Sequence, residues 1–102
     1  MTPKEIFETR IAKRAPEATE IDAIFAFNIT GDEGGQWVVD LKDGKVYEGK
    51  SADADCTITL SDDNFVKLVE GEVPGPQLFM MGQLQISGNM GLAMKLGEVL
   101  GN

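Results

Sequence analysis

The sequence predicts an α+β fold with five strands, and three observations predict it. A capping-box helix opens the chain, and residues 23–47 then hold three segments of strand period separated by glycine-containing turns. After these, a strand-period segment twice runs into a helical one, at 56–71 and again at 83–100. One hundred and two residues build one hydrophobic core and no second, so a single domain is expected over residues 1–102.

Thr2-Pro3-Lys4-Glu5 supplies a capping hydroxyl, a proline for the first helical position and a glutamate three residues after the cap. A helix is expected from Lys4 to about Ala15, with Ile6, Phe7 and Ile11 on one side and Pro16 ending it. Residues 23–30 alternate so that Phe25, Phe27 and Ile29 share a face, and Gly31-Asp32-Glu33-Gly34-Gly35 turns the chain. Trp37, Val39 and Leu41 share a face of the next strand, although Val38 leaves open which face meets the helices. Asp43-Gly44 then turns into a strand at Val46-Tyr47, giving a three-stranded antiparallel meander.

The fourth strand, residues 56–60, points Cys56, Ile58 and Leu60 inward and two threonines outward. Ser61 can cap a helix that carries Asp62 and Asp63 in its first turn and Phe65, Leu68 and Val69 in its apolar stripe, up to Gly71. Val73-Pro74-Gly75-Pro76 is a stiff connector, and residues 77–81 suit a helical turn or a loop equally. Residues 83–87 alternate as the fifth strand, and Gly88-Asn89 offers a turn and a helix cap.

The last helix begins near Met90. Met90, Ala93, Met94, Gly97 and Leu100 form its stripe, Leu92, Leu96 and Val99 widen it, and only Lys95 and Glu98 demand water. A helix this apolar needs cover on two flanks: the sheet on one, and another helix, a second subunit or an apolar ligand on the other. Gly91 and Gly97 each cost about 1 kcal/mol relative to alanine in a helix interior. Close helix packing would explain them, as would room for a ligand chain or the looseness of a lid.

Composition excludes most chemistry. The chain has no histidine and one cysteine, so Ser/His/Asp and Cys/His arrangements, histidine-ligated metals and thiolate zinc sites have no parts. No enzymatic activity, metal or cofactor is expected. Cys56 reads as a small buried hydrophobe, since Asp53 and Asp55 beside it would raise the thiol pKa and no histidine can activate it. Asp62-Asp63 and Asp32-Glu33 read as helix capping and solvated turns, not as acid/base pairs or calcium ligands.

The formal charge is −8, which argues against a nucleic-acid partner. It is unevenly spread: residues 1–14 sum to +2, residues 15–72 carry four bases against fourteen acids, and residues 73–102 hold only Lys95 and Glu98. That last segment also holds Met80, Met81, Met90 and Met94, which suit either irregular core gaps or a surface accepting varied apolar shapes. One cysteine closes no intramolecular disulfide, the first twenty residues lack an apolar secretory core, and no run approaches the roughly 20 apolar residues of a bilayer span. A soluble protein of the cytoplasm is expected.

Residues 53–71, DADCTITLSDDNFVKLVEG, and 82–96, GQLQISGNMGLAMKL, resemble the sterol carrier protein 2 family, the intracellular non-specific lipid-transfer proteins. SGNMGLAMKL is the most specific part, and IFAFNITGDEGGQWVVDLKDGKV at 24–46 extends the likeness over nearly the whole chain. The resemblance implies a five-stranded, mainly antiparallel sheet with helices packed on one face, enclosing an apolar tunnel. It also implies that fatty acids, fatty acyl-CoA, phospholipids or sterols bind in that tunnel and move between membranes without chemistry.

Among these ligands the acidic middle segment favours fatty acids and neutral or zwitterionic lipids over acyl-CoA. The residues that the resemblance places on a lipid chain are Phe25, Phe27, Trp37, Val39, Ile58, Phe65, Leu68, Phe79, Met80, Ile86, Met90 and Met94. For each of them the plain alternative is core packing. The chain ends Leu100-Gly101-Asn102, not on the peroxisomal targeting tripeptide of vertebrate members, so a cytoplasmic, bacterial setting is expected.

A monomer is expected. The first helix is only weakly cationic, so electrostatic docking on anionic membranes should be weak, and transient membrane contact would rest on Ile6, Phe7 and Ile11. The competing function is an interaction or accessory domain whose apolar last helix is covered by a partner protein, a second copy or a lipid-metabolising enzyme.

Overall fold

A computed structural model describes residues 1–100, apart from the side chains of residues 98 and 99. Val99 on the expected stripe, Glu98 on its wet side, and Gly101 and Asn102 of the terminal tripeptide therefore lie outside the described residues.

The capping box forms as its residues dictate. Thr2 Oγ1 accepts from the Glu5 N–H at 3.3 Å and Glu5 Oε1 accepts from the Thr2 N–H at 3.1 Å. Helix α1 starts as Pro3–Glu5, widens to π geometry over Ile6–Ile11, returns to α over Ala12–Arg14, and closes in 3-10 turns at Ala15–Glu17 and Thr19–Ile21. The widened middle carries Ile6, Phe7 and Ile11, all fully buried. The apolar face expected to touch a membrane is thus packed into the core.

Strands β1 (Ile24–Thr30), β2 (Gly35–Asp40) and β3 (Lys45–Glu48) form the expected antiparallel meander. β4 (Cys56–Ser61) pairs parallel to β1 on its other edge, and β5 (Leu84–Gly88) pairs antiparallel to β4, so the sheet order is β3-β2-β1-β4-β5. Helix α2 (Asp62–Val69) follows β4, α3 (Gly75–Met80) precedes β5, and α4 (Met90–Lys95) with α5 (Gly97–Leu100) ends the described chain. The segment open between helix and loop is thus helical, with Pro76 in its first turn, where a missing N–H costs nothing.

Inward faces follow the alternation of the strands. Phe25, Phe27 and Ile29, then Trp37, Val39 and Leu41, then Cys56, Ile58 and Leu60 all enter one core with Ile6, Phe7, Ile11, Phe65 and Val69. Trp37 rather than Val38 meets the helices, since Val38, fully buried as well, stands apart from that cluster. The Trp37 Nε1–H finds no hydrogen-bond partner there.

Candidate functional site

Two side-chain caps fix the helices that wall the site. Ser61 Oγ accepts from the Asn64 N–H at 3.2 Å to start α2, and Asn89 Oδ1 accepts from the Leu92 N–H at 3.2 Å to start α4. Asn64 Nδ2 donates to Gln83 Oε1 at 3.2 Å, tying α2 to the approach of β5. The Asn89 N–H donates to the Asp55 carbonyl at 3.1 Å, tying the start of α4 to β4.

Between these elements lies a cavity of about 520 Å³ over the β4–β5 half of the sheet. Ile58 and Ile86, directly opposite each other across the strands, form its floor with Leu84. Leu68 of α2 and Gly75, Pro76, Phe79 and Met80 of α3 make one wall. Met90, Ala93 and Met94 of α4, followed by Leu96, Gly97 and Leu100, make the other. Among the described residues, no lining side chain carries a nitrogen or oxygen atom, so the surface that they present is mainly hydrocarbon.

Floor and mouth differ in exposure. Ile58 and Leu84 of the floor are 4% and 8% exposed, while Met80 and Met94 at the mouth are 89% and 84% exposed. Phe79 and Met90 are also exposed on this rim. A patch of this kind in water marks a site that something apolar covers. Gly97 adds room: a Cβ there would meet nothing within 4 Å, so close packing does not require the glycine.

Of the twelve residues placed on a lipid chain from the sequence, Ile58, Leu68, Phe79, Met80, Ile86, Met90 and Met94 line this cavity. Phe25, Phe27, Trp37, Val39 and Phe65 do not. They point inward from the other half of the sheet and from α2 into the aromatic core around Phe7, which stacks on Trp37 at 4.8 Å and meets Phe27 edge-on at 5.1 Å. Gly75, Pro76, Leu84, Ala93, Leu96, Gly97 and Leu100 were missed. The stripe of the last helix already held Ala93, Gly97 and Leu100, and the strand pattern already held Leu84 beside Ile86.

The remaining chemistry is structural. Burial first, and then the Asp55 carboxylate, push the Cys56 thiol pKa upward, which keeps it protonated and unreactive. Asp62 Oδ2 accepts from the Glu33 N–H at 2.9 Å and Oδ1 from the Asp63 N–H at 2.8 Å, so this acid braces a turn. Among the described residues, no group of three or more Cys, Asp or Glu could hold a metal ion, and no helix is long and apolar enough to cross a membrane. A smaller hollow of about 230 Å³ bears Asn28, Gln36, Lys50, Ser51 and Thr57 and offers hydrogen bonds that the apolar cavity lacks.

Proteins of known structure share this architecture. Sterol carrier protein 2 of Homo sapiens is 46% identical over an alignment of 82 residues that covers 76% of this chain and 15% of that protein, so the chain spans a small part of that relative. Sterol carrier protein 2 from Yarrowia lipolytica, solved in its apo form, is 38% identical with a TM-score of 0.71, covering 96% of this chain and 77% of that one. Sterol carrier protein-2 from Aedes aegypti, solved in complex with the C16 fatty acid palmitate, is 28% identical with a TM-score of 0.77, covering 94% and 91%. The model of the SCP-2 sterol transfer family matches residues 4–101, and the chain belongs to that family.

Proposed function

We propose that residues 1–102 act as one lipid-binding domain, which takes an acyl chain into the cavity between β4, β5, α3 and α4 and carries it without chemistry. The observation that carries this reading is the cavity itself, about 520 Å³ in volume and lined, among the described residues, without a side-chain nitrogen or oxygen. Volumes of this order hold drug-sized ligands. Burial of a sixteen-carbon chain at about 0.8 kcal/mol per CH₂ gives roughly 12 kcal/mol gross, enough for micromolar affinity after ordering costs. The polar headgroup stays at the mouth in water, because the described wall residues offer it no polar side chain. The palmitate held by the Aedes aegypti relative supports the same ligand class here.

The domain works as a monomer in the cytoplasm and meets donor and acceptor membranes briefly. With Ile6, Phe7 and Ile11 in the core, the apolar part of that contact falls to the exposed rim of Phe79, Met80 and Met94. A native mass spectrum of the purified protein, followed by solvent extraction, tests the reading. The expected result is a monomer with lipid-mass adducts that extraction removes. A spectrum that stays clean after incubation with fatty acids and phospholipids would overturn it.

A further inference from the structure

The mouth of the cavity is chemically unlike its floor. Ile58, Leu84 and Ile86 give the floor a hydrocarbon surface, whereas the rim presents three thioethers, Met80, Met90 and Met94. These are 89%, 46% and 84% exposed. A thioether in water is open to peroxides, and its sulfoxide is polar, a strong hydrogen-bond acceptor and reducible by dedicated enzymes. Two further methionines, Met1 and Met81, are 64% and 56% exposed but do not line the cavity, so exposure and cavity position are separable within one molecule.

Resting on the lipid-binding reading above, we propose that Met80, Met90 and Met94 are sites of reversible sulfoxidation whose product closes the cavity to acyl chains. In the step, the Sδ lone pair attacks one oxygen of hydrogen peroxide. The S–O bond forms as the O–O bond breaks, sulfur loses two electrons, and hydroxide leaves. The proton of the transferred oxygen passes through solvent to that hydroxide, so the products are one sulfoxide and one water. A chain entering the oxidised mouth must strip water from sulfoxide oxygens to which the described wall residues offer no donor side chain. The ligand in turn shields the same sulfurs, so a filled cavity should oxidise more slowly at these three positions than at Met1 and Met81.

The test titrates palmitate into the protein before peroxide treatment, after it, and after methionine sulfoxide reductases have acted, with peptide mapping of each methionine. Oxidation is expected to weaken palmitate binding about tenfold and reduction to restore it. Preloaded palmitate is expected to slow oxidation at Met80, Met90 and Met94 but not at Met1. The variant carrying Met80→Leu, Met90→Leu and Met94→Leu is compared only with itself, and peroxide should leave its own starting affinity unchanged.

Affinity that stays within about twofold on full oxidation of the three sites would overturn the proposal. So would an equal loss in the leucine variant, or loss of the folded circular-dichroism signal on oxidation. The reductase arm needs no variant, so it stands if the leucine variant does not fold. Failure of the untreated protein to bind palmitate is a distinct result: it overturns the lipid-binding reading, and this inference with it.

Discussion

The ring of Phe7 stacks on that of Phe65, with centroids 4.9 Å apart and planes 11° from parallel. The contact joins α1 to α2, and both rings lie in the packed core and not among the residues that line the cavity. Phe7 is fully buried, so Phe7→Ala leaves a large void and should cost about 3–5 kcal/mol of stability, read from urea unfolding. Palmitate affinity of the fraction still folded should be unchanged, because Phe7 does not line the cavity.

The turn between β1 and β2 depends on a glycine. Gly31 sits at φ +102°, where side chains are strained, and a Cβ there would come within 2.6 Å of the Asp62 carboxyl carbon. Gly31→Ala should therefore destabilise by about 1–3 kcal/mol and break the Asp62 bond to the Glu33 N–H. Denaturant unfolding measures the first effect, and amide exchange at Glu33 the second.

Much of this arrangement was legible in the sequence. Period-two alternation set the inward faces of β1, β2 and β4, and the caps at Thr2, Ser61 and Asn89 stood where Ser, Thr and Asn preceded a helical pattern. The division of inward residues between packed core and open cavity was not legible. Phe27 and Ile58 sit side by side on the parallel pair β1–β4 with the same alternation, yet only Ile58 lines the cavity. That difference comes from where α1 lies over the sheet, a non-local fact that no window of sequence contains. The parallel pairing of β1 with β4 is non-local in the same way, and the π widening of α1 carries no proline, glycine or other local mark.

Filling the cavity should separate binding from stability. Ala93 is half-buried on the cavity wall, so Ala93→Trp places a large ring in existing space and not in packed core. Palmitate affinity should fall at least about tenfold while the unfolding midpoint holds within a few degrees, as calorimetry with and without ligand would show.

Cys56 gives a pH dependence of known sign. Its thiol pKa is raised in the folded state above the ordinary 9.0, by burial first and by Asp55 second. The folded chain then holds the proton more tightly than the unfolded chain, so this stability is complete below the ordinary value and is lost as pH rises toward the folded one. Urea unfolding from about pH 7 to about pH 10 should show the stability advantage of wild type over Cys56→Ala shrinking only at the alkaline end.

The central claim, that the α3–α4 cavity is where a lipid chain lies, is tested most directly by photo-crosslinking with a palmitate analogue bearing a diazirine near its methyl end, mapped by peptide mass spectrometry. Adducts are expected on the cavity floor and walls, at Ile58, Ile86, Ala93 or Leu96, competed away by unlabelled palmitate. Competed adducts confined to the Asn28, Gln36 and Lys50 hollow, or at Phe25 and Val39 in the packed core, would contradict it.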